Sequence, residues 1–280
     1  MTDTPVTRPM SAAELETVLP WAAGEGWNPG LSDALAFHAA DPEGFFLTLV
    51  NDDPVAAISV VNHDEGHAFL GLYLCRPDWR GRGIGYATWM HALAHAGTRT
   101  VGLDGVPAQE DNYRKSGFIR TGASLRHEGR LPPQTSAAIR PATADDTPAL
   151  MALDAQATGH ARPRFLTAWL SGDGQTRETR VLQSGGDIAS FATWRACGTG
   201  TKIGPVIAPD TEAALTLIAD IAAQRPEGPL IVDVPEANTA LRRALEQAGF
   251  TIPFSTARMY RGPAPKTGPT LQAIATMELG

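Results

Sequence analysis

The feature that most constrains the fold of this chain is an internal repeat. The apolar segment 101–104 ends in an aspartate and is followed by Val-Pro, a short polar stretch and Gly117-Phe118. The same order recurs in segment 231–235, which leads to Gly249-Phe250. The offset is roughly 130 residues, which is the size of an ordinary domain. The sequence therefore predicts two copies of one domain, residues 1–132 and 138–280, joined by a Gly- and Pro-containing linker over 129–136.

Turn signals and hydrophobic patterns predict the element order of the first copy as β-α-α-β-β-β-α-β-α-β. Ser11 and Glu14 form a capping-box pattern that opens the first helix. Segments 45–50, 55–61 and 67–75 predict strands linked by hairpin turns. A helix over 84–96, a buried strand over 99–104 and an extended segment over 118–126 complete the copy. The second copy shows a similar pattern, so we predict an α/β (α+β, mixed-sheet) fold in two tandem domains.

The most informative motif lies between a predicted strand and a predicted helix, where residues 80–85 are Arg-Gly-Arg-Gly-Ile-Gly. Three glycines allow backbone N–H groups to converge without obstruction by Cβ atoms. The helix N-terminus adds a partial positive charge, and Arg80 and Arg82 add full charges. This combination predicts a site for a pyrophosphate. A glycine-rich turn without a ligand is the alternative, but such a turn does not need two arginines.

Two common nucleotide motifs do not fit this segment. A Walker A loop requires Gly-Lys-Ser/Thr, which is missing here. A Rossmann fingerprint requires G-x-G-x-x-G within a βαβ unit, whereas here the glycines are spaced G-x-G-x-G and the preceding strands are linked by hairpins.

The pattern instead resembles the GNAT superfamily of N-acetyltransferases. One signature is the phosphate motif Q/R-x-x-G-x-G/A, and the other is a tyrosine four residues before a Gly-Phe pair. The matching residues are Arg80, Gly83 and Gly85 for the first, and Tyr113, Gly117 and Phe118 for the second. Segments 25–30 and 102–107 also resemble a two-domain, YitH-like subgroup with a degenerate C-terminal acetyltransferase domain.

The resemblance implies that each domain has a mixed, mainly antiparallel sheet, whose fourth and fifth strands splay apart to hold acetyl-CoA as cosubstrate. It implies that backbone groups of strand four bind the pantetheine amides and the acetyl carbonyl, and that amides after Trp79 hold the pyrophosphate. The implied cofactor-binding residues are Tyr73, Leu74, Cys75, Arg80, Gly81, Arg82, Gly83, Ile84, Gly85, Asn112 and Tyr113.

Acetyl transfer to an amine requires a group that removes a proton, because an alkylamine of pKa ~10.4 is almost fully protonated at pH 7, at a cost of about 4–5 kcal/mol. We expect Asp104, at the end of strand five, to be the first candidate. His67 at the start of strand four is the second, and Glu65 and Glu25 are further ones. An equally consistent role for Asp104 is to cap the following loop, since Asp233 occupies the matching place in the second copy.

Other residues are candidates for the leaving group and for the acceptor. Tyr113 is expected to donate a hydrogen bond to the departing sulfur; the alternative is aromatic packing. Trp27, Asn28 and Gln109 are candidates for the acceptor pocket, although a tryptophan is more often part of a core.

Two signals point to chemistry that we do not expect. His91 and His95 have the i, i+4 spacing of a metal pair, but no third ligand is evident, so no metal is expected. Cys75 lies within a strand without a His-Asp pair nearby in sequence, which favours packing over a role as nucleophile.

The second copy lacks the phosphate motif. At the matching helix start it has Asp210 and Glu212, which satisfy the helix dipole themselves and repel phosphate. Leu245 stands where Tyr113 stands in the first copy. We therefore expect no CoA in the second copy, which would instead pack on the first, close its pocket or sense a ligand.

Charge and composition narrow the function further. The chain has 23 basic and 30 acidic residues, a net charge of −7, which disfavours nucleic acid or an anionic membrane as a partner. Two cysteines, no signal-peptide pattern and no apolar run of ~18 residues fit a cytoplasmic protein. We expect an acetyl-CoA-dependent N-acyltransferase that acts on a primary amine of a small molecule or peptide by direct attack. The alternative is a non-catalytic regulatory protein that senses CoA or an amine. The acceptor and the oligomeric state stay open.

Overall fold

A computed structural model describes residues 4–280 of the chain. The helices are α1 (Ala12–Gly24), α2 (Asp33–Ala40), α3 (Ile84–Leu93), α4 (Glu110–Lys115), α5 (Thr147–Thr158), α6 (Pro163–Leu170), α7 (Thr211–Gln224) and α8 (Thr239–Gln247). The strands are β1 (Val6–Pro9), β2 (Phe45–Val50), β3 (Asp53–Asn62), β4 (His67–Cys75), β5 (Thr100–Gly105), β6 (Ile119–Gly129), β7 (Ile139–Pro141), β8 (Arg177–Ser184), β9 (Asp187–Ala196), β10 (Thr201–Ile207), β11 (Leu230–Pro235), β12 (Thr251–Arg261) and β13 (Leu271–Ala273). The element order predicted for the first copy is confirmed, and Ser11 and Glu14 form the predicted capping box.

The strands form one 13-stranded mixed sheet in which the two copies exchange their long last strands. Strand β12 of the second copy lies between β5 and β6 of the first, and β6 lies between β12 and β11. These pairs are antiparallel, whereas β4–β5 and β10–β11 are parallel. The predicted mixed, mainly antiparallel α/β architecture is therefore confirmed, and the exchange makes each copy complete the sheet of the other.

The exchange also explains the repeated aspartates at the ends of β5 and β11. Asp104 lies directly opposite Arg258 of β12, and Asp233 lies directly opposite Arg126 of β6. Each aspartate forms a two-atom ion pair with the arginine of the other copy, with contacts of 2.6–3.0 Å. Because all four residues are mostly or fully buried, removing one partner would leave an uncompensated charge.

Strands β4 and β5 separate in the middle of the first copy. They pair only from His67 opposite Thr100 to Leu70 opposite Leu103. Just beyond, β4 shifts its register against β3, and Leu72 adopts a positive φ of 46°, as can occur at a β-bulge. The predicted splay is confirmed, and it leaves the β5-facing edge of residues 71–75 without a strand partner among residues 4–280.

The equivalent opening in the second copy is filled by the chain itself. Strands β10 and β11 pair as far as Ile203 opposite Val232. Strand β13 then pairs antiparallel with Val206 and Ile207 of β10, and the amide of Ile274 donates to the carbonyl of Asp233 on β11 at 3.0 Å. Residues 274–280, which we call the tail, run from there into the first copy. The backbone edges that would face a ligand in the second splay are thus already hydrogen-bonded.

The helices on one face join the copies through a shared core. Phe37 of α2 stacks on Trp169 of α6 at a ring distance of 5.9 Å. Beside them, Asp33 is fully buried and contacts Arg177 at 2.7 Å and Arg195 at 3.2 Å, both from the second copy. Within residues 4–280, every helix is too short or too polar to cross a bilayer.

Candidate active site

A cavity of about 620 Å³ occupies the splay between β4 and β5. From the first copy it is lined by Glu25, Trp27, Leu70, Gly71, Leu72, Tyr73, Leu74, Cys75, Arg80, Gly81, Gly83, Gly85, Tyr86, Leu103, Asp104, Gly105, Val106, Gln109, Tyr113 and Arg126. From the second copy it is lined by Phe254, Thr256, Met277 and Glu278. The volume suits a small-molecule site, and the cavity is built by both copies.

One end of the cavity is the glycine cradle that precedes α3. Gly83 is the N-cap of α3 with φ 79°, and Gly81 has φ 76°, a backbone region that side chains other than glycine rarely adopt. A Cβ atom at either position would meet no protein atom within 4 Å, so the surrounding space is open. The first amides of α3 have no intrahelical acceptor and face this end of the helix, which favours an anion there.

The side chains around the cradle differ in their roles. Arg80 lines the cavity, and it contacts Glu25 at 2.5 Å and the carbonyl of Cys75 at 2.9 Å. Arg82 instead stacks over Trp79, 4.6 Å from the ring centre, and does not line the cavity. The Ile84 side chain packs into the core, so only its backbone can contribute to the cradle.

The open edge of β4 leads from the cradle to the centre of the splay. Tyr73, Leu74 and Cys75 all line the cavity, as expected for the strand that is predicted to bind the pantetheine amides. Burial raises the pKa of the Cys75 thiol, and Arg80 only partly opposes this shift. The thiol is therefore neutral at pH 7, which disfavours nucleophilic attack by sulfur.

Tyr113 lies in the wall of the cavity, 7% exposed. Its ring stacks on Trp89 at 5.6 Å and lies against the backbone of Gly105. Burial, together with the nearby Tyr73, raises the pKa of Tyr113 to about 12. The phenol is therefore protonated over the neutral range and can donate a hydrogen bond, whereas full proton transfer to a thiolate of pKa ~8.5 would be uphill by about 5 kcal/mol.

Asp104 lines the cavity, but its carboxylate is already engaged. Oδ1 accepts from Ser124, Thr256 and the Nε of Arg258, and Oδ2 accepts from the Nη2 of Arg258 at 2.6 Å. A carboxylate whose two oxygens already accept from four donors is poorly placed to take a proton from a substrate. The geometry favours a structural role for Asp104, but not the predicted capping of the following loop, because its donors lie on β6 and on the exchanged strand β12.

His67 is the first residue of β4 and lies outside the lining of the cavity. Tyr73, which does line it, is six positions further along the strand, which is about 20 Å of extended chain. The His67 ring lies 5.0 Å from the ring of His160, and its Nδ1 is 3.3 Å from Asp64. Both histidines line a separate small cavity. The expectation that His67 takes part in proton removal therefore has no geometric support.

Of the three residues predicted for the acceptor pocket, two line the cavity and one does not. Trp27 and Gln109 line the cavity. Asn28 does not line it, because its side-chain amide bonds the backbone of Thr199 in both directions, at 2.8 and 3.1 Å, and so ties the two copies together. Asn112 also lies outside the cavity lining and donates to Gln109 at 2.7 Å, which orients that amide.

Sequence reasoning missed the residues that the second copy brings to the site. Phe254 and Thr256 arrive on the exchanged strand β12, and Met277 and Glu278 arrive on the tail. No local motif marks them. The one available signal was the repeat itself, because Arg126 and Arg258 occupy matching places and each faces the aspartate of the other copy.

The second copy has no comparable cradle. Asp210 is the N-cap of α7, and its side chain accepts from the amide of Ala213 at 2.9 Å. Leu245, at the place of Tyr113, is fully buried. The helix terminus that would hold a phosphate is thus occupied by a carboxylate.

Comparisons with known proteins agree with this geometry. The family model described as acetyltransferase (GNAT) family matches residues 12–119, and the one described as acetyltransferase (GNAT) domain matches residues 150–271. The holothin acyltransferase of a Pseudoalteromonas species is 37% identical over 278 residues, which are 98% of this chain and 94% of that protein.

Two further similarities are weaker in sequence. The uncharacterized N-acetyltransferase YitH of Bacillus subtilis is 26% identical over 173 residues, which cover 60% of each chain. A solved structure from Pyrococcus horikoshii, described provisionally as an acetyltransferase, has a TM-score of 0.82 at 17% identity and covers 100% of this chain and 97% of its own. At that identity it shows the fold alone. With two matched GNAT domains and a full-length acyltransferase relative, the chain belongs to the GNAT acyltransferase family as a two-domain member.

Proposed function

We propose that this acyltransferase uses acetyl-CoA and moves the acetyl group to a primary amine by direct attack, without a covalent enzyme intermediate. The observation that carries the proposal is the order of parts in one splay: the anion cradle at Gly81 and Gly83, the open edge of β4, and the buried phenol of Tyr113. A thioester carrier needs these parts in this order, because its diphosphate, amides and sulfur follow one another along the molecule.

Each part has a distinct role in the proposed reaction. The cradle amides and Arg80 bind the diphosphate, which requires Arg80 to release Glu25. The backbone of residues 73–75 aligns the carrier as an added strand. The thioester supplies an activated acyl carbon, and the phenol of Tyr113 stabilises the charge that develops on the leaving sulfur.

The second copy completes the site and does not bind a carrier of its own. Strand β13 occupies its splay, and Asp210 occupies its helix terminus. We place the functional boundary between the copies at 132–138, with the exchanged strands crossing it.

The acceptor is a small or peptide amine. The aromatic side chains of Trp27 and Phe254 favour an acceptor with an apolar body. Holothin, which names the full-length relative, is the first compound to test. We place the reaction in the cytoplasm, where both unpaired cysteines are compatible with a reducing environment.

A thiol-release assay tests the proposal. The full chain is incubated with acetyl-CoA and a panel of amines: holothin, benzylamine, tyramine, spermidine and a peptide with a free N-terminus. Amine-dependent thiol release, with the acetylated product identified by mass spectrometry, is the expected result. Thermal stabilisation by acetyl-CoA without thiol release for any amine would indicate a sensor of CoA instead.

Replacement of Tyr113 by phenylalanine is expected to lower kcat about 10- to 100-fold, because the variant loses the donor to the leaving sulfur. The Kd for acetyl-CoA should stay within about twofold, because the ring and its stacking on Trp89 are retained. Tyr260→Phe is the matched control, since Tyr260 lies outside the cavity and loses the same oxygen atom. If Tyr113→Phe turns over at the wild-type rate, Tyr113 is a packing residue.

A further inference from the structure

We infer that Glu278, which the tail of the second copy carries into the first splay, is the group that accepts the proton of the attacking amine. The inference rests on the proposed N-acyltransferase function and assigns the base for that same site. Both copies then contribute to the active site, because the glycine motif belongs to the first copy and this carboxylate to the second.

Three carboxylates line the cavity, and their surroundings separate them. Glu25 contacts Arg80 at the cradle end and lies where the diphosphate is expected. Asp104 is held by Arg258 and two hydroxyl groups. Glu278 is 4% exposed and has no ion-pair partner within 4.0 Å among residues 4–280. It is therefore the lining carboxylate whose charge is available to an ammonium group.

The positively charged side chains near Glu278 form their ion pairs and hydrogen bonds with other groups. Arg126 of β6 forms its two-atom ion pair with Asp233 of β11. Lys202 of β10 donates to the carbonyl of Trp27 at 3.0 Å. Burial and then Arg126 lower the pKa of Lys202, and the charge of Glu278 opposes this shift, which places the two groups near each other. Arg195 of β9 holds Asp33 and the tail carbonyl of Ala275.

The backbone of the tail fixes Glu278 at the inner end of the splay. Its carbonyl lies against Gly71, where a Cβ atom would come within 2.1 Å of that oxygen. Gly71 is the first residue of β4 beyond the last β4–β5 pair, so Glu278 lies beside the strand edge that is proposed to hold the thioester. The hydroxyl of Thr276 donates to Oε2 of Glu278, and the carbonyl of Leu279 is 2.8 Å from Nε2 of His63. The segment that carries the carboxylate is thus held in place by hydrogen bonds on both sides of Glu278.

The proton and electron balance of the step is simple. The acceptor enters as an ammonium ion beside the Glu278 carboxylate and gives it one proton. The neutral nitrogen then attacks the acyl carbon, so an N–C bond forms and the C–S bond breaks. The electron pair of that bond leaves with the sulfur, which takes the second nitrogen proton and departs as the thiol. Glu278 finally returns its proton to solvent.

The test compares Glu278→Gln with the wild type on the alkylamine of the panel that is acetylated fastest. At pH 7 we expect kcat/KM to fall about 100- to 1,000-fold, because the variant has no group to take the proton and can use only the small fraction of amine that is already unprotonated. Its kcat/KM should rise about tenfold per pH unit up to the amine pKa, whereas the wild-type profile stays flat over that range. Glu278→Asp, which keeps a carboxylate, should restore part of the activity and the flat profile.

Two controls separate this role from a structural one. The Kd of Glu278→Gln for acetyl-CoA and its thermal unfolding should match the wild type. Glu227→Gln makes the same chemical change in an exposed loop and should leave turnover unchanged. If the wild type transfers the acetyl group and Glu278→Gln has the same kcat/KM as the wild type at every pH, the assignment of Glu278 is overturned while the proposed function stands. A wild type that releases no thiol with any amine overturns both this assignment and the proposed function.

Discussion

Gly83→Glu is expected to abolish binding of acetyl-CoA, with the Kd raised at least about 100-fold in calorimetry. Gly83 has a φ of 79°, so any side chain there strains the backbone that aims the cradle amides. The added carboxylate would also stand at the N-terminus of α3, where it satisfies the helix dipole and repels a diphosphate. The second copy already carries the same change in natural form, with Asp210 as the N-cap of α7.

Gly186→Glu is the matched control for this loss. Gly186 also has a positive φ, of 96°, and a Cβ atom there would meet no protein atom within 4 Å. It lies in the turn between β8 and β9, away from the cavity, so the variant carries comparable backbone strain and the same charge without touching the cradle. Equal Kd values for the two variants would mean that Gly83 acts only through stability and that the carrier binds elsewhere.

Asp33→Ala is expected to lower the free energy of unfolding by about 3–5 kcal/mol, because it leaves two buried guanidinium groups without their shared anion. Arg177 and Arg195 both contact this carboxylate, and both lie over the ring of Trp169, at 4.2 and 4.6 Å. Asp33 also accepts from the amide of Gly30 at 2.7 Å. Urea denaturation followed by tryptophan fluorescence measures the change.

Asp53→Ala is the control for the stability experiment. Asp53 forms a 3.1 Å ion pair with Arg76, but its side chain is 59% exposed, so its loss should cost less than about 1 kcal/mol. If the two variants lose equal stability, the buried cluster around Asp33 contributes no more than an exposed ion pair, and the exchanged strands and the shared core around Phe37 and Trp169 hold the copies together.

The local parts of the fold could be predicted from the sequence. The hairpins of β2, β3 and β4 follow from alternating apolar residues and turn signals, and α1 follows from its capping box. The exchange of β6 and β12 could not be predicted, because a β-strand pattern specifies which face is buried and not which neighbour supplies the hydrogen bonds. The repeat indicated two similar domains without indicating that they share one sheet.

In the candidate site, too, residues of local motifs could be predicted, whereas residues brought in by distant segments could not. The cradle and Tyr113 each belong to a short contiguous motif, and the family resemblance carried by these two motifs predicted that they share one site. Asp104 lies 154 residues from Arg258, and the assignment of Asp104 as a base could not anticipate a buried cation at that distance. Glu278 carries no motif, and only the path of the tail through both splays brings it to the cavity.

The interleaved strands have a practical consequence for anyone who shortens this protein. A fragment that stops after the linker keeps the whole glycine motif but lacks β12, so the long edges of β5 and β6 are left bare, which invites intermolecular strand addition. The later half, made alone, loses β6 in the same manner. Shortened forms of the protein for crystallisation or screening should therefore be produced as two fragments expressed together, so that each supplies the strand that the other lacks.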